Sequence, residues 1–350
     1  MRLEPRAATS LGVNLAWGAA AIAATLVFTS LLVLIAGASP FTVFYLVARG
    51  AAGSQFALLE TLTRATPLIF TGLAVAVAFR ARLWNIGAEA QLYIGAVMTV
   101  VLGTGAIQMP SAGLIPLIMM AAMLAGALLL LGPAVLKTRL GVDEVVTTLL
   151  LNFIIILFVS MLLEGPLKDP TGMGWPQSKR VIAEAQLPRL IKGKRLHYGF
   201  VLALVSAGIV WVIIKKTVLG YEMRAVGHNA EAARFAGIPV NMVLVKTALI
   251  SGGLAALAGF SEVAGLKGNL TLDLSPGYGY TGIVVAMLAM LNPLGVVVAA
   301  IFVAGIFVGA DAMSRSANVP SYIAQVMVAT ALLTMVTAMM LMRYRIRWRR

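Results

Sequence analysis

The chain is a succession of apolar stretches, most about 20 residues long, with almost no charge inside them and short charged segments between them. A stretch of that length is what an α-helix needs to cross about 30 Å of hydrocarbon at 1.5 Å per residue. Backbone groups in lipid have no water to bond, so each stretch must satisfy its own N–H and C=O groups as a helix. The sequence therefore predicts an all-α, polytopic transmembrane helical bundle of about ten spans. They are placed at 13–37, 58–79, 88–106, 113–135, 144–163, 198–214, 242–262, 278–291, 295–312 and 321–342. The eighth and ninth are parted only by Leu291-Asn292-Pro293, a tight turn or helix break, so they read equally well as a discontinuous pair. The first run exceeds the roughly 7–15 apolar residues of a secretory signal core and is read as a retained helix.

Lys and Arg set the orientation, because cytoplasmic loops carry the excess of them. A cytoplasmic N-terminus puts Arg2, Arg6, Arg80, Arg82, Lys137, Arg139, Lys215, Lys216, Arg224 and Arg234 on the inside, with Arg343, Arg345, Arg347, Arg349 and Arg350 in the tail. Both termini are then cytoplasmic. One segment runs against the rule: 164–197 falls outside yet holds Lys168, Lys179, Arg180, Arg189, Lys192, Lys194 and Arg195. The reading keeps it as an external loop, because moving it inside would carry 220–238 outside.

Only 11% of residues are charged, whereas soluble domains have about a quarter. The net charge of +14 lies in the inter-span segments, and no solvated basic face interleaved with aromatics is apparent, so nucleic acid is not the expected partner. There is no cysteine, and both histidines, His197 and His228, fall outside the spans. No metal site, cofactor or catalytic constellation is therefore expected. No linker marks a second domain, so 1–350 is read as a single transmembrane domain. Glycines such as Gly252, Gly259, Gly305 and Gly309 are read as points where helices pack closely.

The segment 220–238 stands apart, a short polar stretch between long apolar ones. Within "GYEMRAVGHNAEAARFAG" (220–237), Asn229 is a good N-cap and Ala230 to Ala236 are mostly strong helix formers. Glu231 lies in the first turn, where the helix dipole favours an anion, and Arg234 follows three residues later. Gly237 ends the helix and Pro239 prevents its continuation. The preceding piece, Tyr221 to Val226, is expected to be a second short turn closed by Gly227. On these residues alone the segment is a stiff, capped protrusion or an ordinary amphipathic connector.

The run from Arg224 to Ile238, Arg-Ala-x-Gly-x-Asn-x-x-Ala-Ala-x-x-x-Gly-Ile, resembles the cytoplasmic coupling loop of permeases from bacterial ATP-binding-cassette (ABC) importers. The branch it resembles imports simple sugars, nucleosides and branched-chain amino acids. "LWNIGAEAQLYIGA" (83–96) and "GVDEVVTTLLLNFI" (141–154) resemble two further signatures of its nucleoside-type members, with Ala90 where glycine is usual and Asp143 where asparagine is common. The resemblance implies a multi-pass permease of the bacterial inner (plasma) membrane, in contact with lipid. It implies three protein partners: a cytoplasmic ABC ATPase, a second permease that is a related but different chain, and an extracytoplasmic substrate-binding protein. The solute implied is a nucleoside or related ribose-containing molecule, with simple sugars as the alternative. In keeping with this, the sequence has no G-x-x-x-x-G-K-[ST] phosphate loop, so the chain is not expected to be an enzyme. Coupling to the ATPase falls by resemblance on Arg224, Gly227, Asn229, Glu231, Ala232, Ala233, Arg234 and Gly237.

Polar residues in or at the ends of spans are functional candidates. Asn85, Glu89, Gln91 and Asn152 are the candidates for the substrate path, with hydrogen bonding between helices as the equal alternative. Asn85 and Glu89, four apart, are expected on one helical face. Trp84, Trp175 or Tyr278 would offer a ring for stacking, though the membrane boundary explains them better. Glu262 is expected to be solvated at the outer end of its span. An ion-coupled secondary transporter is the reading from another class, and it would leave 220–238 without a task.

Overall fold

A computed structural model describes residues 2–5, 11–35, 37–172 and 174–317, and beyond them only scattered positions between 322 and 347. The expected span at 321–342 lies largely outside the described residues.

Two compact units make up the chain, Met1–Thr61 with Val303–Arg350, and Leu62–Phe302. In the first, helix α1 (Leu11–Ile35) meets α2 (Pro40–Ala52) at a bend of 111°. Gly37, at φ +77°, turns the chain, and Pro40 opens α2, where its missing N–H costs nothing. The bend and α2 were not expected from sequence, since 38–52 carries no full-length apolar stretch. Val33, Val43 and Val47 pack with Ala310 and Met313 of α12 (Pro293–Ala317). Gly309 lies so close to the Val47 carbonyl that a Cβ there would collide with it. The terminal segments β1 (Arg2–Pro5) and β2 (Tyr344–Arg347) pair antiparallel, a short exception to an otherwise helical chain.

The larger unit holds α3 (Gln55–Arg80, from Leu62), α4 (Ala88–Gly103), α5 (Ser111–Leu140), α6 (Glu144–Glu164), α7 (Gly199–Lys216), α8 (Val218–His228), α9 (Ala230–Phe235), α10 (Val240–Ser261) and α11 (Tyr278–Leu288), with the first part of α12. α3 and α10 are largely buried, whereas α5, α6 and α7 are mostly exposed. α4 packs against α10 and α5. Small residues make this possible: a Cβ on Gly95 would strike the Ala256 carbonyl, one on Gly259 the Leu92 carbonyl, and Gly126 and Gly252 face each other. For Gly252 and Gly259 the expectation of close packing holds.

By length and composition, six helices among the described residues can cross a membrane (α3, α5, α6, α7, α12, and α10 with the π-helical turn Glu262–Lys267), or seven with the bent α1–α2 pair. The expected eighth span is shorter than predicted. α11 has 11 residues, about 16 Å. It ends in the consecutive left-handed residues Met290 (φ +49°) and Leu291 (φ +57°), and α12 then begins at Pro293.

The segment 164–197 is folded over one end of this unit. Val181 N–H donates to Gly268 O (2.8 Å), Ile182 N–H to Gly103 O (2.8 Å) and Leu187 N–H to Ala264 O (2.8 Å). Glu262, in the π turn, is 1% exposed rather than solvated as expected. Lys267, Arg64 and Arg195 supply the positive charge that acts on this carboxylate.

Candidate functional site: a capped protrusion and an internal polar seam

α8 begins where the Thr217 hydroxyl accepts from Gly220 N–H (3.2 Å) and runs unbroken to His228. Gly227 therefore does not close a turn, as the sequence suggested. It sits inside the helix because α8 there touches the carbonyl of Arg80, at the end of α3, leaving no space for a Cβ. The helix stops at Asn229, whose extended backbone (φ −155°, ψ 109°) turns the chain while its side chain caps α9. Asn229 Oδ1 accepts from Glu231 N–H (3.0 Å) and Ala232 N–H (3.1 Å). At the other end Gly237, at φ +83°, lets Ile238 N–H reach Ala233 O (3.0 Å), while its own N–H reaches Arg234 O (3.0 Å). Ala233 is buried, and Phe235 at the tip is 96% exposed.

The base of the protrusion is tied to two places, and one of them, Arg80, reaches on to a third. Gly227 abuts Arg80, Arg224 Nη1 donates to Ile214 O near the end of α7, and Arg80 Nη2 donates to Leu291 O (2.6 Å) in the α11–α12 link. Arg80 was read only as an orientation marker. Nothing in its sequence context shows that its side chain reaches across to residue 291.

The polar residues of the 83–91 and 141–154 stretches meet inside the unit. Asn85 is not on a helix with Glu89, because 84–86 is irregular chain preceding α4. Asn85 folds back instead, exchanging two hydrogen bonds with Gln91 (2.9 Å each), donating to Ser251 Oγ (3.0 Å) and accepting from Gly87 N–H (3.0 Å). Ser251 in turn donates to Ala74 O of α3 (2.7 Å). The irregular chain is stitched to one face of α6. Glu144, Thr148 and Asn152 lie at i, i+4 and i+8, and accept from the backbone N–H groups of Trp84 (3.2 Å), Ile86 (3.2 Å) and Ala90 (2.9 Å). Lys137 pairs with Glu144. Glu89 reaches the start of α11, accepting from Gly279 N–H (2.6 Å), where an anion is favoured by the free N–H groups of the first turn.

Asn152 makes two further bonds: its Nδ2 donates to Ile86 O (3.0 Å) and to the hydroxyl of Tyr280 (3.0 Å). Tyr278 is 5% exposed and offers no free ring face, whereas Tyr280 is 39% exposed. Trp84 stacks edge-on against Phe79 at 4.6 Å, and Trp175 lies 63% exposed on the folded segment 164–197. No cluster of His, Asp and Glu with the geometry of a metal site occurs among the described residues.

Residues 57–343 match the family described as the permease component of the branched-chain amino acid transport system. The chain is 37% identical over 303 residues to a glucose ABC transporter permease protein of Haloferax volcanii, covering 84% of this chain and 79% of that one. It is 35% identical over 311 residues to a guanosine ABC transporter permease protein of Bacillus subtilis, covering 87% and 88%. A nucleoside ABC transporter permease protein of Lactococcus lactis is 32% identical over 290 residues, covering 80% and 79%. With a family match over most of its length, relatives of this similarity and a bundle of apolar helices, the chain belongs to the branched-chain amino acid transport system permease family and is a multi-pass ABC importer permease.

Proposed function

We propose that this permease forms half of the path by which a nucleoside or related ribose-containing solute enters the cell, driven by ATP hydrolysis on a separate cytoplasmic subunit. The observation that carries this reading is the α8–α9 protrusion, capped at both ends and bare at Phe235. A frayed loop would absorb a push, whereas a capped helix with a buried base passes it on. The α8–α9 helices would dock in the ATPase with Phe235 as the anchor, since exposed aromatics are what partners bury at the centre of an interface. Displacement would pass through Gly227 to α3, through Arg224 to α7, and through Arg80 to the left-handed link at Met290–Leu291. That link is strained for non-glycine residues and so is a place where the chain can switch.

The remaining assignments follow in the same reading. Asn85, Glu89, Gln91 and Asn152 hold the start of α4 in place beside the path. The chain has about ten spans in the inner membrane with both termini in the cytoplasm, supported by the pairing of β1 with β2. A second, related permease completes the pore, and a binding protein delivers solute to the folded segment 164–197, whose outer face is basic. A sugar is the second candidate solute, favoured by the similarity to the glucose permease protein.

The chain has no cysteine, so Phe235→Cys introduces a unique thiol. In the assembled transporter it should cross-link to the ATPase subunit, and uptake of labelled guanosine should require that subunit. A Phe235→Cys thiol that reacts only with reagents added from outside the cell would overturn the coupling assignment.

A further inference from the structure

Between the π turn and α11 the chain runs from Gly268 to Gly277 without regular helix or strand. Its beginning is tied to the folded segment 164–197, since Val181 N–H donates to Gly268 O. Its end reaches the start of α4, where Gly279 N–H meets Glu89. α4, 16 residues and about 24 Å long, joins the same two levels, because Gly103 at its far end accepts from Ile182 of that segment. The irregular chain therefore lies alongside α4, and the hydroxyl of Tyr93, the sixth of the 16 residues of α4, donates to Leu272 O.

One side of this stretch is uncovered. Leu272, Asp273 and Pro276 of the stretch are exposed, and Tyr280, in the first turn of α11, is exposed next to them in the chain. Irregular backbone and a carboxylate cannot face hydrocarbon, and at membrane depth they occur only against protein or water. The exposed side of α6 makes the contrast, because Leu150, Phe153, Ile154, Leu157 and Met161 present only apolar groups there. Tyr280 is also held in place: its hydroxyl accepts from Asn152, whose other bonds to Ala90 N–H and Ile86 O leave that amide a single orientation. A fixed, partly exposed ring beside a polar wall is what a ring-bearing, hydroxyl-rich solute needs, a flat surface for its own ring and acceptors for its hydroxyl protons.

We infer that the face made by Asp273, Pro276 and Tyr280 lines the aqueous solute path, and that the solute's ring rests on Tyr280 with Asn152 as the positioning residue. This rests on the transport reading above and names the residues that touch the solute within it.

The test uses the complete transporter in membranes, with Tyr280→Cys or Leu157→Cys as the only thiol in this chain. The Tyr280→Cys thiol should react with a charged, membrane-impermeant thiosulfonate at least about tenfold faster than Leu157→Cys, because charged reagents need water. Transported solute should slow that reaction. Tyr280→Phe, which keeps the ring, should retain most uptake, whereas Tyr280→Ala should lose roughly tenfold, the order of one stacking contact. Equal and negligible labelling of both thiols, or solute protection of neither, would overturn the assignment of this face while ATPase-dependent uptake persists. Absence of ATPase-dependent uptake with the unaltered chain would instead overturn the transport reading itself.

Discussion

Gly227, inside α8, lies against the carbonyl oxygen of Arg80, the last residue of α3, with no room between them for a side chain. The same Arg80 donates through its guanidinium to Leu291 O, so one residue joins the protrusion to the α11–α12 link. Gly227→Val must push α8 off α3, because a carbonyl at the end of a packed helix cannot retreat. Uptake is expected to fall by more than about tenfold with membrane insertion unchanged, since a displacement of even 1 Å disrupts a geometric contact. Leu124→Ala, at an exposed position of α5 outside the protrusion, should leave uptake near the unaltered level. Equal uptake by the Val variant and the unaltered chain would show that this contact transmits nothing.

Asn85 is wholly buried and bonded to Gln91, Ser251 and Gly87. Asn85→Leu keeps roughly the volume and strands the Gln91 amide and the Gly87 N–H without their partners. A loss of about 1–3 kcal/mol per stranded group is expected. In detergent this should read as a clear fall in the thermal midpoint, larger than that of Ser251→Ala, which removes only one member of the seam. A midpoint unchanged in Asn85→Leu would show that the seam is not what holds the irregular chain 84–86.

His197, in the folded segment 164–197, is 1% exposed; Gly199 N–H donates to its Nδ1 (3.1 Å), so the ring proton sits on Nε2, which is buried without a partner. Burial pushes its pKa down to about 4 from the ordinary 6.5. A group whose folded pKa is depressed in this way takes up a proton more readily when unfolded. The stabilising contribution is therefore fully present above pH 6.5 and is lost progressively as pH falls from there through 4, amounting to roughly 3 kcal/mol at most. Melting curves of the purified protein at pH 7.5, 5.5 and 4.5 should show the decline. His197→Asn should flatten it, and a decline of the same size in that variant would place the cause elsewhere.

Much of the architecture was written in residue order. Asn229, Gly237 and Pro239 mark the ends of α9 because capping needs only neighbours in the chain, and the structure has those caps where the sequence put them. The apolar stretches mark the helices for the same reason, each satisfying its own backbone. The eight-residue separation of Glu144 and Asn152, near two turns, is also enough by itself to put both roughly on one face of a helix. What Glu144, Thr148 and Asn152 bond to, the backbone N–H groups of Trp84 and Ile86 in the irregular stretch and of Ala90 in α4, had no sequence signal.

The failures have one physical origin. Gly227 was read as a helix end because a glycine near a helix terminus usually is one, yet its role is to make room for Arg80. Glu262, at the end of an apolar run, is expected to be solvated, yet packing leaves it 1% exposed. Tyr278 and Tyr280 stand two residues apart in one short motif, and only the packing of α11 decides that the first is enclosed while the second faces outward. Residue order alone determined a membrane-spanning helical chain with a stiff, capped segment at 220–238, because length, hydropathy and caps act locally. Tertiary structure decided which glycines are contacts, which charges are buried and which ring is free, because burial depends on distant parts of the chain brought together by packing.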